Sequence, residues 1–431
     1  MPLLIKSGAL RWLKAITFNR VTSITPLQLF LNLTVVALCS IRRIWHLNDL
    51  TDSGLSLFTG RRSLLDQGSC SRLLSSIKAY SFCRLKSFWV KSIVCYLKGR
   101  KYLIVSIDDH TTPYWGKLRI SKTKVATRGR VMKATKFFYW YATASLRIID
   151  FDVAAAQQKL SQCLLPYIRQ LRSVFGIRQK FIFLFDKGGY KAQNFQKLIL
   201  SRVVRFVTPA KNTSENKKQW NKIPAHKYID FIHPTKKDSL KMTIARTRLK
   251  GLAKPIRTIL LKTKDGYHGF FTNFIRLKAK SLIELYQSHW AQETSYRILK
   301  NDLGLDYLPK RKKTNQKKSQ LNSAAIGFVT WVKSFTFNLL KDFGSCLGKR
   351  YEKMHAETFI RKFIARPGRI FIYPDSLLVS LTPFREQDVL IPYISSLNKQ
   401  RTSIPWLQNL RLEMIVSQEK YVHKKGNYLC L

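Results

Sequence analysis

Acidic side chains are the scarcest chemistry in this chain. Asp and Glu number 24 against 77 Lys and Arg over 431 residues, leaving a formal net charge of +53. With 45% hydrophobic and 12% aromatic residues there is ample material for a packed core, which excludes a disordered basic tail. Self-repulsion on this scale calls for a polyanion. Nucleic acid fits it, a small acidic substrate would not need it, and a membrane surface is the weaker alternative at this size. Cysteine is sparse and odd in number: Cys39, Cys70, Cys83, Cys95, Cys163, Cys346 and Cys430 contain no CxxC pair. A disulfide framework and a structural zinc site are thereby excluded, and a reducing compartment is the default. Long apolar runs are also missing. The longest, Leu27–Cys39, is broken by Gln28, Asn32 and Thr34, is too short to span a bilayer, and lies too far in for a secretory signal. It reads as a buried helix, and no partner membrane is expected. No internal repeat or low-complexity block is visible, and the basic clusters at 309–318 and 127–133 read as loops or solvated edges.

What is present organises into five stretches. Residues 1–98 carry helical apolar spacing interleaved with Arg and Lys, which predicts a small basic helical domain suited to DNA. Strands are expected at Tyr102–Ile107, Thr135–Ala144 and Ser145–Phe151, followed by a long helix over Val153–Phe175. Phe181–Phe185 is a continuous apolar run suited to a strand buried on both faces. A helix at Lys191–Ser201 and a strand at Val203–Thr208 complete residues 99–210. This order predicts an α/β fold, a ribonuclease H-like mixed sheet flanked by helices. A β-rich insertion is expected at 211–274, with strands Thr258–Lys262 and Tyr267–Thr272 about the Asp265-Gly266 turn. Helical periodicity returns over Ala279–Leu303 and Ser319–Asp342, within a last core segment at 275–345, and 346–431 alternates as short strands.

In so basic a chain an acid closing an apolar strand stands out. Asp108 and Asp109 close KYLIVSI, and Asp186 closes FIFLF. In a sheet of this order the first and fourth strands are neighbours, so Asp108 or Asp109 lies beside Asp186, within reach of a metal pair that would offset their repulsion. The competing structural roles are a helix N-cap for Asp186 and a turn residue for Asp108. The third acid comes from LYQSHWAQETSYRILK. On a helical wheel Tyr286, His289, Glu293, Arg297 and Lys300 fall within about 80° of arc, one carboxylate among four candidate phosphate ligands or stackers. The plainer explanation is a solvated face with a Glu293–Arg297 pair.

These blocks resemble the DDE transposases of bacterial insertion sequences, in the insertion-sequence-four-like group marked by a Tyr-x2-Arg-x3-Glu-x6-Lys helix. Tyr286, His289, Glu293 and Lys300 stand at that spacing, with Trp290 and LKNDLGL where the group has similar residues. FFTNFIRLKAKSLIELYQSHW resembles its threonine-asparagine strand and helix, VSIDDHTTPYWGK its first-aspartate block and FLFDKGGY its second. The likeness covers about residues 100–310, with SIPWLQNLRLEMIV a weaker echo. The chief departure is His289 in place of Arg, which the family uses to contact phosphate. A His offers fewer donors and only intermittent charge, and Arg297 on the same face is the candidate substitute.

The resemblance implies a transposase that cleaves DNA strands at element ends and joins them to target DNA. Its implied catalytic and metal-holding residues are Asp108, Asp186 and Glu293, with Asp109 the alternative first carboxylate. Two Mg²⁺ ions, with Mn²⁺ as substitute, are the implied cofactors. Tyr286, His289, Arg297, Lys300 and Lys187 would contact DNA, and the partners are element ends, target DNA and a second copy of the chain. The implied location is a bacterial cytoplasm, at the nucleoid. Trp220 and Tyr228 are candidate base-stackers or core residues, and His110, Thr111 and Thr112 candidate supports for the first acid. The rival readings are a catalytically inactive DNA-binding remnant, which His289 favours, a nuclease of the same fold, and a ribosomal-type RNA-binding protein, which predicts no acid cluster.

Overall fold

Strands with one apolar face toward each neighbouring layer build the part of the molecule that holds the acids. The computed structural model describes residues 1–41, 43–50, 52–97, 99–115, 120–232, 239–264, 266–305 and 323–417. They fall into two compact units, each drawn from separate parts of the chain: Ile93–Pro113 with Ser121–Ser295, and Met1–Ser92 with Tyr114–Ile120 and Tyr296–Leu431.

The first unit is a mixed α/β layer structure. Its sheet contains β1 (Tyr102–Pro113), β2 (Lys122–Val125), β3 (Arg130–Ala142), β4 (Arg147–Ala155), β5 (Lys180–Phe185), β6 (Val204–Pro209), β7 (Ile229–Ile232), β8 (Ser239–Thr247), β9 (Ile256–Thr263) and β10 (Gly266–Thr272). The order is β2-β3-β1-β5-β6-β10-β9-β8-β7, with β4 also paired to β3. The β1–β5 and β5–β6 pairs are parallel. The β3 pairings with β1 and β4, and every pairing from β10 to β7, are antiparallel. The first and fourth expected strands are thus neighbours. The segment expected as a β-rich insertion carries β7 to β10 and continues this sheet, because β10 pairs with β6.

Period-two alternation assigns each layer. On one face of β5, Ile182 and Leu184 pack with Val207 and with Leu282 and Ile283 of the helix Ala279–Gln287. On the other face, Phe181 meets Phe175 at 5.6 Å, and Phe185 meets Phe195 at 6.4 Å. Those partners belong to the helices Leu160–Phe175 and Ala192–Leu200. Leu160, Cys163, Leu164, Tyr167, Ile168, Leu171 and Phe175 form the buried stripe of the former, at helical spacing. This helix starts later than the sequence predicts. Val153–Ala155 finish β4, and a turn closed by the Gln158 amide on the Ala155 carbonyl precedes the helix.

In the second unit the helix Pro26–Leu38 is capped by a reciprocal Thr25–Gln28 pair and buried from Leu29 to Ala37, as a core helix should be. Phe30 packs at 5.2 Å from Trp331 and 5.6 Å from Phe335 of the long helix Ser323–Leu347. The helices of the N-terminal region cluster with the C-terminal region in this unit. A smaller sheet, of β11 (Gly368–Ile372), β12 (Ser376–Leu381), β13 (Ser403–Ile404) and β14 (Leu410–Val416), packs under Leu390, Ile394 and Leu397. The predicted turn residue Asp265 and the basic run 309–318 lie outside the described residues. Among those described, no helix is long and apolar enough to cross a membrane.

Candidate active site

Two acids arrive at one place because β5 ends beside the middle of β1. In the parallel β1–β5 ladder Ile107 stands opposite Phe185, so Asp186 follows the end of β5 beside Asp108, and β1 runs on past the expected end at Ile107 to Pro113 through its pairing with β3. Asp108, Asp109 and Asp186 each offer a carboxylate oxygen within 4.8 Å of the others, a group that could hold a metal ion. The N-cap role weighed for Asp186 is also real. Its Oδ1 accepts the Gly188 N–H at 2.8 Å, opening the turn Lys187–Gly189. Thr208 donates to the Asp186 carbonyl at 3.2 Å, fixing the strand end to β6. Gly189 is needed here, since a Cβ would come within 2.5 Å of the Phe185 ring. Asp108 Oδ1 accepts the Asp109 N–H at 2.8 Å, and Asp109 pairs with Lys136 of β3 at 2.7 Å.

The cluster is electrostatically frustrated. Burial raises the Asp108 pKa from 3.8 to about 8, with further contributions from the negative charges of Asp186, Asp109 and Glu293. Burial likewise raises Asp186, and Asp109 adds to the effect while Lys136 opposes it. A compact group of carboxylates, one of them held protonated near neutrality, is the donor set expected of a divalent-cation site, and these residues fit one.

The third acid comes from a chain segment held differently from expectation. The stretch predicted as one helix is two, Ala279–Gln287 and Trp290–Asn301, joined by a turn at Ser288–His289. Short amide bonds from His289 to the Tyr286 carbonyl and from Gln292 to the His289 carbonyl tighten the junction. Glu293 follows, in the first turn of the second helix, outside the tight aspartate group but close enough to raise Asp108. Desolvation raises Glu293 itself. Tyr286, half-buried against Phe270 at 5.2 Å, has a phenol pushed up by burial and by Asp186, Asp108 and Glu293, so it faces the acids.

His289 lies inside the fold. It is 4% exposed, its Nδ1 is hydrogen-bonded to Ser106 Oγ, and its ring stacks 5.4 Å from Tyr286. Burial lowers its pKa to about 4, so the imidazole is neutral and has no surface to offer a phosphate. The turn rotates the wheel's phase, carrying His289 inward while Glu293 and Arg297 stay exposed and Lys300 half-buried. Lys187 is exposed in the turn after Asp186. Trp220 is a core residue, 1% exposed, donating to Thr247 at 3.0 Å, while Tyr228 is half-buried beneath Lys262. Thr112 is buried, and His110 and Thr111 are half-buried on β1. Sequence reasoning missed Lys136, Ser106 and Gln292. Lys136 carried a faint signal, as the cation that precedes the apolar run FFYWYA.

The threonine-asparagine pair has a visible structural purpose. Asn273 donates to the Leu198 and Val204 carbonyls at 2.9 and 3.0 Å and accepts the Phe206 N–H at 2.9 Å. Thr272 donates to the Phe206 carbonyl at 2.7 Å. Together they lock the end of β10 to β6, which fixes where the helix Ala279–Gln287 begins its run toward the acids.

A mixed sheet thus gathers three aspartates on two adjacent parallel strands, with a glutamate helix in electrostatic reach. Residues 99–322 match the family described as transposase DDE domain, more than half of the sequence, and the chain belongs to that family. Among solved structures it is similar to the cryo-EM structure of a piggyBac transposase synaptic complex with hairpin DNA. The identity is 12% and the TM-score 0.49, over 83% of this chain and 78% of that one. No curated protein sequence matches it.

Proposed function

We propose that this chain is an active transposase that cuts DNA strands at the ends of a mobile element and joins the freed 3′ ends to target DNA. The observation that carries the proposal is the convergence of Asp108, within β1, and Asp186, at the end of the neighbouring β5, with Glu293 in electrostatic reach. The strand order β4-β3-β1-β5-β6, three antiparallel strands followed by two parallel additions, supports a ribonuclease H-like core.

Asp108, Asp186 and Glu293 would hold divalent ions, Mg²⁺ with Mn²⁺ as substitute. When bound, a two-ion centre lowers the pKa of water and stabilises charge on the entering and leaving oxygens of a phosphodiester. The chain's own residues do the rest. Asp108, whose pKa is raised by burial and by the neighbouring acids, would release its proton on taking up a cation. Lys136 engages Asp109, which leaves Asp108 as the first ligand and Asp109 as the alternative. Tyr286 presents a phenol that stays protonated beside three acids, a hydrogen-bond donor for a phosphate oxygen. Lys187, Arg297 and Lys300 supply positive charge for the DNA backbone, and the net charge of +53 serves two element ends and a target, bound by a dimer.

The test is cleavage and strand transfer on DNA carrying the inverted repeats that bracket the reading frame, with Mg²⁺ or Mn²⁺. Wild type should nick and join, and Asp186→Ala should do neither. Equal product from both would remove the catalytic assignment, and end binding without product from wild type would establish the inactive-remnant reading.

A further inference from the structure

We infer that His289 is a positioning residue, a buried strut that with Ser106 and Gln292 sets Glu293 beside Asp108. The inference rests on the proposed metal-holding role of these acids and assigns His289 a task unrelated to DNA contact.

The geometry is a matched ladder. Ser106 and Asp108 are two residues apart on β1 and so lie on one face, about 7 Å apart along the strand. His289, in the turn, and Glu293, in the first turn of the helix that follows, are four residues apart, about 6 Å of rise at helical pitch. The buried Ser106–His289 hydrogen bond joins the lower rungs. Gln292, 1% exposed, donates through Nε2 to the Tyr139 carbonyl at 3.1 Å, and Tyr139 stands opposite Asp108 in the β1–β3 ladder. Between residues 289 and 292 the segment therefore climbs from the level of Ser106 to the level of Asp108. The next residue is Glu293. Two strands grip the segment through buried polar bonds, and a buried donor or acceptor left without its partner is costly, so the contacts fix its register. A mobile Arg reaching for phosphate could not serve as this strut, because a guanidinium is too large and too strongly charged for the site His289 occupies.

The experiment compares His289→Ala, Ser106→Ala, their double variant and His289→Asn with wild type and Asp186→Ala. Mn²⁺ binding is followed by electron paramagnetic resonance, and element-end DNA binding by fluorescence anisotropy without divalent metal. Thermal unfolding confirms that each variant is folded, and the conservative Ser106→Ala and His289→Asn variants carry the test if His289→Ala unfolds. The strut predicts that the Mn²⁺ concentration for half-occupancy rises on the order of tenfold in each single Ala variant, a displacement of one ligand. The double variant should be no worse than either single one. His289→Asn should recover most of the loss, and the DNA dissociation constant should stay within about twofold throughout. Weaker DNA binding in His289→Ala with an unmoved Mn²⁺ titration would overturn the inference, as would additive losses or no change. If wild type binds Mn²⁺ and Asp186→Ala does not, those outcomes remove the strut alone. If wild type binds none, the metal reading falls with it.

Discussion

Asp108→Asn should stabilise the metal-free protein at neutral pH while destroying its response to metal. In the folded chain the Asp108 carboxyl titrates at about 8 against an ordinary value of 3.8. The folded state therefore binds the proton more tightly than the unfolded state. Stability tied to this group is complete below pH 3.8, falls as pH rises, and is gone above about 8. At pH 7 the difference corresponds to about 4 kcal/mol as an upper bound, since each pKa unit is worth about 1.4 kcal/mol. Local relaxation and water entry around the carboxylates reduce this to about 2 kcal/mol in practice. Asparagine keeps the shape and removes the ionisation. The expected result is a melting temperature about 5 °C above wild type at pH 7 in EDTA, with the advantage vanishing below pH 4. Added Mg²⁺ or Mn²⁺ should raise the wild-type melting temperature and leave the variant unchanged. Differential scanning fluorimetry from pH 4 to 9, with and without metal, reads all of this. A variant less stable than wild type at pH 7 in EDTA would refute the argument that burial, reinforced by the neighbouring acids, penalises the ionised Asp108 carboxylate.

Further perturbations test other parts of the same reasoning. Glu293→Gln should lower strand cleavage by at least about a thousandfold while leaving end binding within about twofold, because a metal ligand stabilises the transition state and not the encounter with DNA; comparable losses in both would place Glu293 in the DNA contact instead. Lys136→Met should tighten Mn²⁺ binding on the order of tenfold by releasing the Asp109 charge into the cluster, and weaker binding in the titration would show that Lys136 supports the site. Gly189→Ala should destabilise the first unit by about 2 kcal/mol through the Phe185 clash, which chemical denaturation measures. Asn273→Ala removes three hydrogen bonds and should cost about 3 kcal/mol, since each is worth about 1 kcal/mol net; an unchanged denaturation midpoint would show that β10 is held by other contacts.

Local pattern carried much of this architecture because acids are rare. A carboxylate at the end of Tyr102–Ile107 or Phe181–Phe185 is conspicuous against +53 of net charge, and strand order alone brings the two together once β1 pairs with β5. What escaped was decided by distant partners. Nothing in residues 211–274 announces that β10 will pair with β6, because the pairing is sealed by Asn273 bonding to Leu198 and Val204, some seventy residues away in sequence. The start of the helix Leu160–Phe175 was misplaced for a related reason. Val153–Ala155 are apolar enough for a helix, and their pairing with Thr135–Phe137 of β3 makes them strand.

His289 shows most clearly how residue spacing alone can misplace a side chain. The spacing from Tyr286 to Lys300 implies one continuous stripe, and a wheel built on it places the histidine outward with the glutamate. The turn at Ser288–His289 has neither glycine nor proline to betray it, so the phase shift is invisible until Ser106 is found beneath the ring. An arginine at this position would have to leave the pocket and reach for solvent, whereas a neutral imidazole satisfies a buried hydroxyl at little electrostatic cost. In the fold this histidine makes an internal hydrogen bond to Ser106 and is almost wholly withdrawn from solvent.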